Sequence, residues 1–144
     1  MHVKNFHLFY TNLNSSLMNV KIDTKEKFNV FTPIEASLSA NMTHELNEKM
    51  LGILQTPVAH VILNLTEVQE IEQTAAMKLM EMQQLFYEQN CSFIICCLNK
   101  NVEQYLDQLE ILELMNVTPT ESEAWDILQM EEIERELLND DETV

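Results

Sequence analysis

The sequence predicts a small α/β domain, a mixed sheet of four to five strands with about four helices in the order β-β-α-β-α-β-α-β-α. Three observations carry this. Residues 20–24 and 28–34 alternate apolar and polar side chains with the period of a strand. Residues 61–65 and 93–98 are short, nearly unbroken apolar runs, as in strands buried on both faces. Between and after these runs apolar residues recur at the spacing of one helix face.

Residues 1–18 are the least patterned. Phe6, Leu8, Phe9 and Tyr10 are mixed with polar residues and run into Asn12-Leu13-Asn14-Ser15-Ser16. They are read as an N-terminal extension or an extra strand, or as the product of a start codon upstream of Met18. The domain proper then spans 19–138, and 139–144 form an acidic tail. Val20, Ile22 and Thr24 face one way and Lys21 and Asp23 the other. A charged turn, Lys25-Glu26-Lys27, leads to Phe28, Val30, Thr32 and Ile34. Pro33, which has no N–H to give a ladder, marks a sheet edge or a strand end.

Ser39 and Asn41 are candidate N-caps for a first helix on which Met42, Leu46, Met50 and Ile53 recur. Pro57 stops it. After the strand at 61–65, a polar loop over 66–73 precedes a helix lined by Ala75, Leu79, Met82 and Phe86. The strand at 93–98 is followed by a helix carrying Val102, Leu106, Leu109 and Leu112. Thr118-Pro119-Thr120 ends it around a very short strand at 116–118. Thr120 and Glu123 have the spacing of a capping box. The last helix presents Ala124, Ile127, Met130, Ile133 and Leu137. Alternation of strand and helix after the first hairpin implies right-handed crossovers, with helices covering one face of the sheet.

Composition narrows the function. With 144 residues and 46% apolar content, the chain suffices for one domain with a real core. The longest apolar run is far short of the roughly 20 residues of a membrane span. No secretory leader pattern opens the chain. Cys91, Cys96 and Cys97 are an odd set on one apolar segment, read as reduced core residues of a cytoplasmic protein, with a redox or metal role as the alternative. Cys96 and Cys97 are expected to diverge, as strand neighbours do. The net charge is −16 and lopsided: ten acids against seven bases in residues 1–100, fourteen against Arg135 alone thereafter. Such a surface repels nucleic acid and anionic lipid and attracts a basic protein. The plainer alternative is a solvated helix face that keeps the chain soluble.

Chemistry is sparse. Gly52 is the only glycine, which excludes glycine-rich phosphate loops and dinucleotide fingerprints. His2, His7, His44 and His60 are scattered, and none has a His or Cys partner at metal spacing. His44 falls on a polar helix face and His60 at a strand boundary. No nucleophile elbow is present, and nothing singles out a carboxylate pair. The nine methionines read as core fillers. No catalytic residue, metal or cofactor is assigned; an enzyme or a ligand-binding domain would require a cavity of convergent polar groups.

Three stretches resemble the STAS domain family of bacterial anti-sigma-factor antagonists over about residues 19–130. Ala36-Ser37-Leu38-Ser39, with Glu45-Leu46-Asn47-Glu48-Lys49-Met50 after it, is similar to the family's turn and following helix. His60 to Val68 (HVILNLTEV) is similar to its apolar strand ending in Leu-Asn-Leu. Ile71-Glu72-Gln73-Thr74-Ala75-Ala76-Met77 stands where the family has Asp-Ser-Ser/Thr-Gly-Leu. The resemblance implies a non-enzymatic module of bacterial signalling and transcription regulation, docking on an anti-sigma factor that is also a serine kinase. That kinase phosphorylates the first serine of the loop, a gain of about −1.5 to −2 charges.

This chain departs there. The family's acid falls on Glu72, its phosphoserine on Gln73, its second hydroxyl on Thr74 and its glycine on Ala75; the turn aspartate falls on Ser39 and the turn glycine on Ala36. Gln73 has no hydroxyl, so Thr74 is the candidate phosphoacceptor, its other reading being an N-cap. The implied partner-binding loop is Glu70, Ile71, Glu72, Gln73, Thr74 and Ala75, with Ser37, Ser39 and Asn41 as a secondary surface. The alternative is a constitutive STAS-type small subunit of an ABC lipid-transport complex, pairing with the ATPase. As for residues 1–17, a chain starting at Met18 is expected to melt close to the full chain; a melting point far lower, by circular dichroism, would place them in the core.

Overall fold

In chain order the elements are β1 (Val20–Thr24), β2 (Asn29–Pro33), β3 (Ser37–Leu38), α1 (Ala40–Ile53), β4 (Val61–Asn64), β5 (Glu70–Ile71), α2 (Gln73–Glu88), β6 (Phe93–Cys96), α3 (Lys100–Gln108), a 3-10 turn (Leu112–Leu114), β7 (Val117–Thr118) and α4 (Glu121–Thr143). The computed structural model describes residues 18–143, and their side chains as far as Asn139. Residues 1–17, the expected extension, lie outside it. Met18 itself is buried against the core.

The main sheet has the order β1-β2-β4-β6-β7, with β1 antiparallel to β2 and every later pairing parallel. β3 and β5 form a separate parallel pair. Each of those two strands has only two residues, too few for any periodicity, so the sequence showed one as a turn and the other as part of a polar loop. Pro33 closes β2 at its end. β2 is not an edge, because β1 flanks it on one side and β4 on the other.

Strand residues alternate between two cores. Phe31, Val61, Leu63, Phe93 and Ile95 face one way and pack with Leu46, Met50, Leu79, Phe86, Val102 and Leu106 of α1, α2 and α3. Val30, Ile62, Ile94 and Cys96 face the other way and meet Ala124 and Leu128 of α4. Helices therefore cover both faces, where the sequence suggested one. The apolar runs of β4 and β6 require it: Ile62 and Ile94 are as fully buried as Leu63 and Ile95. On the α4 side, Phe28 stacks on Trp125 with ring centroids 4.8 Å apart. At the edge, β1 is only half covered, and Ile22 is exposed although its spacing placed it on an apolar face.

With one glycine in the chain, two helices end on non-glycine residues in the left-handed region, Asn90 at φ 60° and Glu110 at φ 61°. Both make the paired bonds of a Schellman motif: Cys91 N–H to Phe86 C=O with Asn90 N–H to Tyr87 C=O, and Ile111 N–H to Leu106 C=O with Glu110 N–H to Asp107 C=O. Cys97 also has a positive φ, 64°. It leaves the strand there, and its side chain packs against the same α4-side cluster as Cys96 instead of diverging to the other face. All three cysteines are free thiols. Burial raises the Cys96 thiol well above its ordinary range, and Cys97 and Glu121 raise it further.

α4 differs most from its sequence pattern. Its cap is half of the expected box: the Thr120 hydroxyl accepts the Glu123 N–H at 3.1 Å, while the Glu123 carboxylate bonds that hydroxyl, not a backbone N–H. Ala124 and Leu128 are buried, but Met130, Ile133 and Leu137 are 55%, 56% and 59% exposed. The helix outruns the sheet. Past Leu128 its inner face meets the polar residues that precede β4 and β6. The Ser92 hydroxyl donates to Glu131 at 2.6 Å and accepts from Arg135 at 3.1 Å. Asn116 donates to the other oxygen of Glu131 at 3.1 Å. His60 Nε2 lies 3.0 Å from Glu132, and its Nδ1 accepts the Ser92 N–H at 2.9 Å. An accepting Nδ1 selects the neutral tautomer with hydrogen on Nε2.

His60 is held below its ordinary pKa, chiefly by burial and further by Arg135, against the upward pull of Glu132 and Glu131. The unfolded chain then takes up this proton first. Stability from this group is complete above the unfolded value of about 6.5 and falls as pH drops through the lower folded value. Thermal melts from pH 7.5 to 5.5 should show this decline, and His60→Asn should flatten it. An unchanged slope in the variant would remove His60 as the cause.

Candidate partner-binding site

Parallel strands deliver their following loops to the same sheet edge; α1, α2 and α3 begin there on one face, and α4 begins there on the other, its Glu121 accepting from Asn64 of β4 at 3.0 Å. Each start is made locally. Ser39 caps α1, its hydroxyl accepting the Met42 N–H at 3.2 Å; Thr43, buried one turn on, donates to the Ser39 carbonyl at 2.8 Å. Asn41 is therefore not a cap but an exposed residue of the first turn. Asn99 caps α3 through the Asn101 N–H at 3.0 Å. α2 begins after Glu72, whose side chain makes no bond to its own helix.

The β3·β5 pair ties two of these starts together. Ser37 pairs with Glu70 and Leu38 with Ile71. The Gln69 and Glu70 N–H groups both donate to the Ala36 carbonyl, at 2.7 and 3.0 Å, and the Glu72 N–H donates to the Leu38 carbonyl at 3.0 Å. Leu38 and Ile71 point inward and are buried, leaving Ser37 and Glu70 exposed. Residues 37–41 and 70–75, separate stretches in the sequence, thus form one continuous edge.

Glu72 crosses this edge. Its Oε1 accepts the Ala40 N–H at 3.0 Å. It stands in the cap position of α2 while its carboxylate meets the first N–H of α1, so one negative charge faces the positive ends of two helices. Farther along, Asn47 Nδ2 of α1 donates to the Lys78 carbonyl of α2 at 3.1 Å. The third start is linked as well, by Asn99 Nδ2 donating to Gln69 Oε1 at 2.9 Å. A groove of about 270 Å³ lies between this loop and α3, lined by Gln69, Glu70, Ile71, Asn101, Val102 and Tyr105.

Gln73 and Thr74 occupy the first turn of α2 and are exposed, while Ala75 and Ala76 are buried. With Glu72 in the cap position, the N-cap reading of Thr74 is corrected. Its hydroxyl is committed to no cap bond and faces solvent, one turn before Lys78 on the same face. The sequence also did not show the part of Glu72 at α1, or the Gln69–Asn99 link. Those contacts join residues about thirty positions apart, and no local pattern encodes them. Among the described residues, no group of three His, Cys, Asp or Glu side chains is placed to hold a metal ion. No described helix is long and apolar enough to cross a membrane.

This arrangement can be compared with known proteins. A family model for the STAS domain matches residues 19–124. The chain belongs to the STAS domain family. Its fold is similar to that of an anti-sigma-factor antagonist (STAS) domain protein from Planctomyces limnophilus, with a TM-score of 0.64 and 16% identity over 76% of this chain and 97% of that one. It is also similar to an anti-sigma factor antagonist from Mycobacterium paratuberculosis, at 0.67 and 8% over 78% and 94%. A part of the murine solute carrier 26 family member A9 anion transporter has the same fold, at 0.65 and 12%, covering 88% of this chain and 24% of the transporter. No curated protein matches the sequence.

For this STAS domain the expected effect of Glu72 is measurable. Glu72→Ala should cost about 1 kcal/mol in urea denaturation, the typical loss of a helix-terminus acceptor, and Glu72→Gln less. Equal stability of Glu72→Ala and the parent chain would show the bridge to be idle.

Proposed function

We propose that this STAS domain is a non-enzymatic regulatory module that binds a protein partner, an anti-sigma factor or related serine kinase, through the edge formed by residues 37–41 and 69–75. The observation that supports it most is the β3·β5 pairing, which makes one surface of the loop at Glu70 to Ala75 and the turn at Ser37, Ser39 and Asn41. The solved relatives described as anti-sigma factor antagonists support the same reading.

In this reading the usual serine switch is absent, because Gln73 stands in its place. Thr74 is the remaining candidate phosphoacceptor. A phosphate there would sit at the start of α2, where helix N–H groups favour it, but beside Glu70 and Glu72, which do not. Its net action is to add charge to a partner surface already acidic. The second reading, a constitutive subunit of a lipid-transport ABC complex located at the cytoplasmic side, draws on the same Gln73, since a permanent subunit needs no switch. Co-purification with an ATPase and a permease would favour it.

Pull-downs with the parent chain, Thr74→Ala and Thr74→Glu distinguish these. A kinase-type partner retained by Thr74→Ala and lost about tenfold or more with Thr74→Glu is the result expected of a switch. Equal recovery with both variants removes the switch and leaves constitutive binding. Failure of a candidate kinase to form a complex in any nucleotide state counts against the regulatory reading.

A further inference from the structure

The loop edge leaves the far end of the molecule unexplained. There α4 projects past the sheet with its inner face anchored by Glu131, Glu132 and Arg135 on Ser92 and His60. Its outer face carries Met130, Ile133 and Leu137, each more than half exposed. Their spacing of three and four is that of a and d positions in a heptad, a seam about two turns long. Leu138, 63% exposed, widens it toward a groove of about 440 Å³ that also meets Tyr87 and Asn90.

The flanks of this seam indicate what fits it. With Met130 at a, Glu134 falls at e and Glu136 at g, the positions that choose a coiled-coil partner by charge. The one base of this helix, Arg135, is turned inward onto the Ser92 hydroxyl and does not neutralise the flanks. A second copy of the chain would bring acidic flank against acidic flank. A helix with apolar a and d residues and Lys or Arg at e and g would cover the apolar seam and pair both flanks.

We propose that the outer face of α4, along Met130, Ile133 and Leu137, docks a basic amphipathic helix of another protein. This surface lies at the sheet end where Ser92 and His60 sit, opposite the edge carrying Thr74, and it does not depend on the function proposed for that edge. One chain then presents two separate docking surfaces.

The test uses the full chain and a fluorescent peptide of three heptads, with Leu at a and d and Lys at e and g. Two control peptides replace the Leu residues by Ser or the Lys residues by Glu. Anisotropy titrations should show binding of the first peptide only, weakened about tenfold by Ile133→Ser or Leu137→Ser. Both side chains are exposed, so neither change should alter the melting temperature. Equal binding of the Ser peptide would reduce the effect to bulk charge and overturn the proposal, as would unchanged affinity in both variants. A dimer of the full chain in sedimentation that Ile133→Ser dissolves would make a second copy the occupant. Tighter peptide binding by a Phe6→Ser, Phe9→Ser variant would make the acid-free N-terminal segment the occupant. Either result would also overturn it.

Discussion

Val61, Ile62 and Leu63 in β4, with Phe93, Ile94 and Ile95 in β6, leave the two central strands without a face that water can occupy. Each of these side chains is worth about 1.5–3 kcal/mol when fully buried. Both faces of the sheet must therefore be covered, and the parallel pairing decides how. Right-handed crossovers place α1, α2 and α3 on one side, while the chain end supplies α4 to the other. Because all three crossovers leave from the same ends of parallel strands, three helix starts converge on one edge. The candidate site is a consequence of that pairing.

At the edge, polar groups hold the loops and helix starts in place. Ser39 and Asn99 cap helices, Gln69 binds Asn99, and Glu72 accepts from α1. What remains exposed is a rim of side chains around Glu70, Gln73 and Thr74, beside the groove lined by Val102 and Tyr105. At the other end, polar groups on α4 are likewise spent on anchoring the helix, through Ser92, His60 and Asn116. This leaves the helix's apolar residues on the outside.

Much of the fold was legible in residue spacing. The apolar runs marked β4 and β6, and Ala75, Leu79, Met82 and Phe86 marked the buried face of α2. Ser39 was recognisable as a cap because its hydroxyl acts within three residues. The candidate site was legible only in part. Positions 70–75 and 37–41 stood out through their resemblance to a family, whereas their joining through β3 and β5 rests on two-residue strands that have no pattern of their own. α4 misled for a related reason. Met130, Ile133 and Leu137 have a buried helix's spacing, but spacing does not say where the sheet ends.

By itself, the sequence determined the strands of the main sheet and the helices in their order, the two-faced burial of the central strands, the acidity of the last third and the absence of a serine at position 73. These are properties of neighbouring residues or of composition, and side-chain size, charge and period settle them locally. The tertiary structure alone decided which helix covers which face, that Glu72 serves two helix ends, that Thr74 is an exposed first-turn residue and not a cap, and that much of α4's apolar stripe faces outward. Each of these depends on contacts between residues distant in the chain, or on how far a helix runs beyond the sheet it covers. Such contacts exist only once the strands have paired.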